Sequence, residues 1–402
     1  MRPIRETISL DDARSIIDRR ITPLSRTERV RIDEADGRVL ASPVVAQSDV
    51  PPFARAAMDG YAVRAADTFG ASTHEPRLLT SVETVYTGQV PTRAVGPQQC
   101  TEIATGAPVP AGSDAVVMVE ETDTSADGPV RIFAPVYPGQ NVAKQGADIR
   151  VGQRVFEPGT LLNPGRLGAL AALGFVDVDV YARPRVAILS TGNEIIEPGQ
   201  PLAPGHIYDI NRFTLGSIIR EHGGQPVVHP TAPDTIADLE QALETCLQDD
   251  LIVFSGGSSV GERDLILDVV ETMGDVLFHG IAVKPGKPTL FGIIRGTPIF
   301  GMPGYPTSCL SNAYMLLVPP LRRMAHLPAA AMRTVRVPLG QRVVSTTGRH
   351  QFYTVRLVEG VALPAFKASG DITSMAQADG YIEIPAQIDV VEAGETVEVT
   401  LF

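Results

Sequence analysis

The sequence contains no tryptophan, and aromatic residues make up only 5% of its 402 positions. So few rings argue against a surface that binds nucleic-acid bases or sugars by stacking. Acidic residues outnumber basic ones by 46 to 34, and the formal net charge of −12 argues against nucleic acid as the main partner. A small anion held by a few local cations remains compatible with this charge.

Cysteine is also scarce, and no long hydrophobic run is present. Cys100, Cys246 and Cys309 lie far apart and form no Cys-x-x-Cys pair, which argues against a zinc ribbon or a redox dithiol. An odd number of cysteines without a framework is typical of a reducing compartment, so we expect a cytoplasmic protein. The charged N-terminus and the short apolar stretch at 167–175 predict neither a secretion signal nor a membrane partner.

Glycine and proline are plentiful, with 37 and 33 residues that follow no period, which predicts many tight turns. We expect a multidomain α/β protein with four parts. These are a discontinuous helical or mixed N-terminal domain at 1–45 and 153–184, a β-rich inserted domain at 46–152, an α/β domain at 185–328 and a C-terminal β-barrel domain at 329–402. Helices are predicted at 9–21, where Ser9 and Asp12 form a capping box, and at 34–40.

Apolar strands and amphipathic helices alternate between 185 and 328, which predicts a doubly wound, mostly parallel sheet. Three of these strands run into glycine-bearing loops at 190–194, 255–264 and 301–308. The carboxyl ends of parallel strands share one edge, so we expect the loops to converge on one crevice. Backbone amides of the glycine loops and the N-termini of the helices that follow them would favour binding of an anion there. The alternative interpretation is that the three loops are ordinary strand-to-helix turns without a ligand.

Lys284 and Lys287 flank a Pro-Gly turn that presents two ammonium groups close together. This arrangement is costly beside other cations and favourable beside a phosphate or another oxyanion, whereas a solvated basic turn is the alternative. The turn is not a Walker A loop, because Pro288 stands where that motif needs serine or threonine.

Carboxylates accompany the same loops. Glu194 and Asp264 lie at loop ends, and a Mg²⁺ ion between them would remove their repulsion from bound phosphates. Each acidic residue also has a simpler interpretation. Glu194 could be a surface residue, Asp264 the cap of the following helix, and Asp234 the N-cap of a helix at 235–247. Asp209 and Asn211 are candidate helix caps as well.

Six motifs occur in a fixed order along the chain. They are Ala-Met-Asp-Gly-Tyr-Ala at 57–62, Thr-Gly-Ala-Pro-Val-Pro at 105–110, Ser-Thr-Gly-Asn-Glu at 190–194, Ser-Gly-Gly with a later Val-Gly at 255–261, Lys-Pro-Gly-Lys-Pro at 284–288 and Pro-Gly-Tyr-Pro at 303–306. Over essentially its whole length the chain resembles the MoeA family of molybdopterin molybdenumtransferases, which is related to the plant and gephyrin E-domains.

The resemblance implies an elongated, four-domain homodimer whose α/β domain has the MogA fold. It implies an enzyme of molybdenum cofactor biosynthesis that inserts molybdenum from molybdate into adenylylated molybdopterin and releases AMP, assisted by Mg²⁺. A MogA-type adenylyltransferase is the implied protein partner. The implied catalytic residues are Asp59, Thr105, Glu194, Asp234 and Asp264, of which Asp59 and Thr105 would reach the partner subunit's crevice.

The resemblance also implies a set of residues that bind the anionic groups of the substrates. They are Ser190, Thr191, Gly192, Ser255, Gly256, Gly257, Lys284, Lys287, Pro303, Pro306, Ser308, Arg349 and Ser369. The implied metal ligands are Glu194, Asp264 and Asp148. Molybdate is a tetrahedral dianion, which a pocket of lysine, arginine, serine and backbone amides would suit.

One position departs from the family pattern. Tyr305 stands where the family motif has asparagine, and we expect its ring to line the ligand crevice and to affect the preference for molybdate or tungstate. Two functions of other kinds remain open from the sequence. One is a non-catalytic molybdopterin-binding or scaffold protein, and the other is a nucleotide pyrophosphatase that uses the same sheet edge.

Overall fold

The structure is a computed structural model that describes residues 6–124, 128–256 and 265–402. The chain forms two compact units. The first unit contains residues 1–28, 37–39 and 180–402, and the second contains 29–36 and 40–179. The four-domain division expected above is finer than these two units and stays a prediction.

The first unit begins with helix α1 (Leu10–Arg20). The Ser9 hydroxyl accepts a hydrogen bond from the Asp12 amide at 3.0 Å, which is the N-cap bond that the capping box predicts. The Asp12 carboxylate accepts from the Ser9 hydroxyl at 2.7 Å. The buried residues Leu10, Ala13 and Ile17 join the core around one face of the α/β sheet described below. The amphipathic pattern therefore determines which side of α1 is covered.

The second unit is dominated by short strands. A six-stranded sheet has the order β7-β4-β6-β5-β9-β8, and β2 pairs with β11, β3 with β10, and β1 with β12. The strands are β1 (Thr27–Arg31), β2 (Val44–Val45), β3 (Arg55–Ala56), β4 (Gly60–Val63), β5 (Arg77–Val85), β6 (Gln99–Ile103), β7 (Ala115–Met118), β8 (Thr122–Asp123), β9 (Val130–Ile132), β10 (Val142–Ala143), β11 (Arg154–Phe156) and β12 (Asp177–Tyr181).

Helix α2 (Pro164–Ala172) lies between β11 and β12, and three single turns of 3-10 helix occur at Ile32–Glu34, Ala65–Thr68 and Val119–Glu121. The second helix expected at 34–40 is wrong. Gly37 has a φ of +70°, and this left-handed conformation ends the helical turn after Glu34.

The first unit continues with an α/β sheet of the order β16-β13-β17-β21-β20-β18, whose first four strands are parallel. The remaining strands β20 and β18 are antiparallel to their neighbours. The elements are β13 (Arg185–Ser190), β14 (Ile195–Ile196), β15 (Ile207–Tyr208), α3 (Asn211–Glu221), β16 (Gln225–Val228), α4 (Ile236–Cys246), β17 (Leu251–Ser255), α5 (Leu265–Met273), β18 (Asp275–His279), β19 (Val283–Lys284), β20 (Leu290–Ile294), β21 (Thr297–Met302), α6 (Pro306–Asn312) and α7 (Val318–Met324).

Side chains of the central strands alternate between two buried cores. Val186, Ile188 and Val253 belong to the core that includes residues of α1, α3 and α7. Leu189 and Phe254 belong to the core that includes residues of α4 and α5. Helices thus cover both faces of a mostly parallel sheet, which confirms the doubly wound architecture. Helix α6 begins at Pro306, and a π turn at Ala313–Leu317 follows it before α7.

The last part of the first unit is a nearly closed sheet. Strand β19 pairs with β24, the order continues β24-β26-β28-β22, and β25 pairs with β24. The Gly340 amide donates to the Ala362 carbonyl at 2.8 Å and links the end of β22 to β25. The elements are β22 (Thr334–Pro338), β23 (Val343–Val344), β24 (His350–Val358), β25 (Val361–Pro364), α8 (Thr373–Ala376), β26 (Gly380–Ile384), β27 (Val390–Val391) and β28 (Thr396–Leu401). This sheet is the barrel-like element that the alternating pattern predicts.

Candidate active site

The carboxyl ends of three parallel strands lie side by side. Ser190 of β13 is in register with Ser255 of β17, and Ser255 is in register with Met302 of β21. The loops that follow these strands therefore start at one edge of the sheet, where ligands bind in folds of this kind. Gly257 and Asp264 lie in the second loop, outside the residues that the structure describes.

Backbone segments approach each other closely at this edge. A Cβ added to Gly256 would lie 2.3 Å from the Thr191 carbonyl oxygen, and Gly256 has a φ of +111°. A Cβ added to Gly304 would lie 3.5 Å from the Gly256 Cα. Gly256, at the start of the second loop, thus contacts the first loop and lies next to the third, and its lack of a side chain permits both approaches.

Asp234 is held by the first of these loops. The Thr191 hydroxyl donates to Asp234 Oδ1 at 2.6 Å, and the Asn193 amide lies 3.3 Å from Asp234 Oδ2. The interpretation of Asp234 as an N-cap is wrong, because Thr235 caps α4 by accepting from the Asp238 amide. The half-buried carboxylate of Asp234 therefore belongs to the sheet edge and does not cap α4.

Glu194 is exposed and folds back over its own loop. A Cβ at Gly192 would lie 2.7 Å from Glu194 Oε2. Only glycine fits that position with this side-chain arrangement, because Gly192 also has a φ of +140°. The Glu194 carboxylate is thus presented at the same edge as Thr191 and Asp234.

Two buried polar residues join this edge, although the sequence indicated them only as caps. Asp209 Oδ1 accepts from the Arg212 amide at 3.1 Å, and the Asn211 side chain donates to the Gly304 carbonyl at 2.9 Å. Asn211 thereby ties the start of α3 to the loop after β21. Asp209 Oδ2, Asn211 Oδ1 and Ser190 Oγ have no hydrogen-bond partner among the described residues. Asp209 and Asn211, which the sequence places on either side of Ile210 at the start of α3, were the signal.

The two-lysine turn lies at the same edge, because Leu290 of β20 is in register with Gly301 of β21 and the turn immediately precedes β20. The Lys284 ammonium donates to Thr346 Oγ1 at 2.8 Å. The Asn312 amide donates to the Gly286 carbonyl at 2.9 Å, and a Cβ at Gly286 would lie 2.3 Å from that amide. Helix α6 therefore holds the turn in place.

The C-terminal sheet supplies two further candidates. Arg349 lies in the turn of Thr346, which accepts from Lys284. The Ser369 carbonyl accepts from the Thr307 amide at 3.1 Å, next to the buried Ser308. The structure thus places the Arg349 turn beside Lys284 and Ser369 beside the start of α6. Pro306 is the first residue of α6 and Pro303 is buried in the loop before it.

Tyr305 lies immediately before α6, and its side chain is 67% exposed. A Cβ at Gly370 would lie 3.8 Å from Tyr305 Cδ1, so the ring is next to the segment that carries Ser369. The ring is not part of a distant core.

Three candidates belong to the second unit. Asp59 Oδ1 accepts from the Thr105 backbone amide at 2.6 Å. Hydrogen bonds from the Thr105 amide and hydroxyl lower the pKa of Asp59, because both stabilise its charged form. The two residues that the MoeA resemblance pairs by function are thus neighbours. Asp148 is exposed, and its amide donates to the Val50 carbonyl.

A metal site is not preformed in the part of the chain that the structure describes, where no three histidine, cysteine or acidic side chains form a cluster. Among the described residues, the carboxylates at the sheet edge belong to Glu194, Asp234 and the buried Asp209. Hard oxygen donors of this kind fit Mg²⁺, which keeps several waters and takes the rest of its ligands from substrate phosphates. The donor set therefore suits Mg²⁺ bound together with a phosphorylated substrate.

Three family models match successive parts of the chain. The MoeA N-terminal region (domain I and II) matches residues 8–174, the probable molybdopterin binding domain matches 187–323, and the MoeA C-terminal region (domain IV) matches 336–402. The second match coincides with the doubly wound sheet and its candidate site, which defines a protein of the molybdopterin-binding class. The chain belongs to the MoeA family.

Individual relatives agree with this membership. The chain is 36% identical over 380 residues to molybdopterin molybdenumtransferase 2 of Mycobacterium tuberculosis, covering 92% of this chain and 94% of the relative. It is 33% identical over 405 residues to the molybdopterin molybdenumtransferase of Haemophilus influenzae, covering 98% of both. A crystal structure of a MoeA protein from Pyrococcus horikoshii superimposes with a TM-score of 0.85 at 40% identity, covering 98% of this chain and 99% of the other.

Proposed function

We propose that this protein inserts molybdenum from molybdate into adenylylated molybdopterin and releases AMP, as a molybdopterin molybdenumtransferase of molybdenum cofactor biosynthesis. The names of the relatives support this proposal. The observation that carries it is the meeting of three strand-end loops with the two-lysine turn at one edge of the sheet. That edge combines backbone amides, cations and carboxylates, as a phosphorylated substrate with an oxyanion co-substrate requires.

The anionic substrates would be held by cations and amides. Lys284 and Lys287 would bind molybdate or the pterin phosphate, helped by Ser308 and by Arg349 and Ser369 of the C-terminal sheet. The contact of Lys284 with Thr346 supports this grouping, as does the contact of Ser369 with the start of α6. The loop residues Ser190, Thr191, Gly192, Ser255, Gly256 and Gly257 would surround the nucleotide part.

The acidic residues would organise bond cleavage. In the reaction, water attacks the phosphoanhydride and AMP leaves, while the pterin keeps its own phosphate. The two dithiolene thiols bind molybdenum, and their protons leave with a displaced molybdate oxygen as water. Glu194 and Asp264 would hold Mg²⁺, which would neutralise phosphate charge when bound. Asp148 stays a candidate ligand on the resemblance alone. Asp234, fixed by Thr191, would orient the substrate or a proton donor at that bond.

We further propose that the enzyme is a homodimer in which Asp59 and Thr105 complete the partner subunit's site. Mixing two impaired variants, Asp59→Asn and Asp234→Asn, tests this arrangement. If each site draws on both subunits, mixed dimers contain one intact site and the mixture is more active than either variant alone. Sites built within single subunits would leave the mixture no more active than the two variants.

The state of the cysteines supports the cellular location that we propose. The three cysteines are unpaired and buried, and burial raises the pKa of Cys100 and of Cys246 to about 12, which keeps these thiols unreactive. This is consistent with a cytoplasmic enzyme supplied with substrate by a MogA-type adenylyltransferase. Among the described residues, every helix is too short or too polar to cross a membrane.

The decisive experiment incubates the full chain with adenylylated molybdopterin, molybdate and Mg²⁺ and measures AMP by chromatography. AMP release that depends on molybdate supports the transferase. Pterin binding with no AMP release supports the scaffold alternative, and equal cleavage of simple dinucleotides supports a pyrophosphatase. Neither alternative is favoured by relatives that are named as transferases.

A further inference from the structure

A polar cavity lies at the edge of the α/β sheet that is opposite the candidate active site. Its volume is about 440 Å³, and its lining includes Glu28, Arg38, Arg183, Arg220, Gln225 and Pro226. Arg183 lies just before β13, and Gln225 is the first residue of β16. The cavity therefore opens at the amino ends of these strands, whereas Thr191 and Gly256 lie beyond the carboxyl ends. A six-residue strand separates the two edges by about 15–20 Å.

Arg38 forms the buried wall of this cavity. Its side chain is 9% exposed, donates to the Tyr181 carbonyl at 2.9 Å and pairs with Glu28. A guanidinium so deeply buried needs fixed partners, because an unpaired charge in that position would destabilise the fold. Its orientation toward the cavity is thus set by the surrounding backbone rather than by solvent.

Positive charge is in excess here. Within the described ranges, neither Arg183 nor Arg220 pairs with a carboxylate, and Glu28 is the single acidic residue of the lining. The nearby Arg26 is already neutralised by Asp250 at 2.8 Å. Arg183 is an exposed residue whose guanidinium is partly desolvated. This partial desolvation and the neighbouring charge of Arg38 both lower the pKa of Arg183, because each disfavours a further cation.

We propose that this cavity binds a tetrahedral dianion. Three guanidinium groups against one carboxylate leave two positive charges, which match the charge of hydrogen phosphate or molybdate. Guanidinium forks donate paired N–H groups to two oxygens of such an ion, which a lysine cannot do. The cavity has room for an ion together with its remaining water or with a small organic group attached to a phosphate.

The proposal concerns a site separate from the two-lysine turn, so molybdate bound at the catalytic edge must be distinguished from binding at the arginines. Isothermal titration of the full chain with inorganic phosphate, and separately with molybdate, measures the affinity of the protein for each ion. We compare wild type with the double variant Arg183→Gln/Arg220→Gln, which changes exposed side chains and leaves the buried Arg38 intact. Arg20→Gln, an exposed arginine of the same unit outside the cavity, is the matched control.

The expected result is a binding event that is weakened about tenfold or more in the double variant and unchanged in Arg20→Gln, since each lost group is a charge-assisted donor. Crystals soaked in molybdate should show an anomalous peak beside Arg183 and Arg220. Turnover at saturating molybdate should be unaffected. Equal affinity in wild type and the double variant, or no anomalous peak at the arginines, would overturn the proposal. A preference for phosphate or for molybdate identifies the source of the ion.

Discussion

The Thr191 hydroxyl lies 2.6 Å from Asp234 Oδ1 and connects the loop after β13 to the segment before α4. The same threonine carbonyl would clash with any Cβ at Gly256. Thr191 thus positions the Asp234 carboxylate through its side chain, and through its backbone carbonyl it excludes any side chain at position 256. The crevice is therefore sensitive to small changes around Thr191.

Asp234→Asn should lower AMP release strongly while the fold persists. Replacing the charged acceptor weakens a hydrogen bond worth about 1.5–3 kcal/mol, which corresponds to roughly ten- to hundredfold in rate if that contact orients the transition state. Turnover and thermal unfolding are measured in parallel. The control is Asp238→Asn, which affects only the cap of α4. Equal losses of activity in both variants would show that Asp234 has no special role.

Gly256→Ala should destabilise the protein, because the new methyl would lie 2.3 Å from a backbone carbonyl oxygen that cannot move freely. We expect a loss of about 1–3 kcal/mol in the free energy of unfolding, measured by denaturant titration. Gly168→Ala is the matched control, since this glycine lies within α2 and a Cβ there would meet nothing within 4 Å. That variant should gain up to about 1 kcal/mol. A neutral Gly256→Ala would contradict the tight contact.

Lowering the pH should remove the stability that the hydrogen bonds between the Asp59 carboxylate and Thr105 contribute. The folded state lowers the pKa of Asp59, so its contribution to stability is present above the ordinary carboxyl pKa of about 4 and is lost as pH falls through the lowered value. The difference in melting temperature between wild type and Asp59→Asn should therefore shrink below about pH 4. Asp36→Asn, at an exposed position of the same unit, should show no such convergence. A difference that is constant from pH 7 to pH 2 would refute this contribution.

Tyr305→Asn restores the residue usual in the family motif and should change oxyanion selectivity. The tyrosine is 67% exposed and next to the Ser369 segment, so we expect a several-fold change in the ratio of KM for molybdate to KM for tungstate. The free energy of unfolding should change by less than about 0.5 kcal/mol, because the side chain is exposed. Tyr137→Asn, with 66% exposure in the second unit, is the control. Identical KM ratios in wild type and Tyr305→Asn would remove Tyr305 from the list of specificity residues.

Much of the fold was predictable because its signals are local. The capping box of Ser9 and Asp12, the apolar strand at 251–255 and the alternation in β22 to β28 each depend on neighbouring residues. The helix expected at 34–40 was wrong because the left-handed Gly37 interrupts it. The sequence left Asp234 open between a helix cap and a site residue. The structure shows that Thr235 caps α4 and that Asp234 instead accepts from Thr191, which is distant in the chain.

The sequence by itself determined the order of elements, the doubly wound class and the three glycine loops, since periodicity and turn residues act over a few positions. Tertiary structure decided which of those loops touch, that Asn211 ties α3 to Gly304, and that Arg38, Arg183 and Arg220 line one cavity. These relationships join residues far apart in the chain, so they depend on strand register and helix packing, which no local pattern specifies.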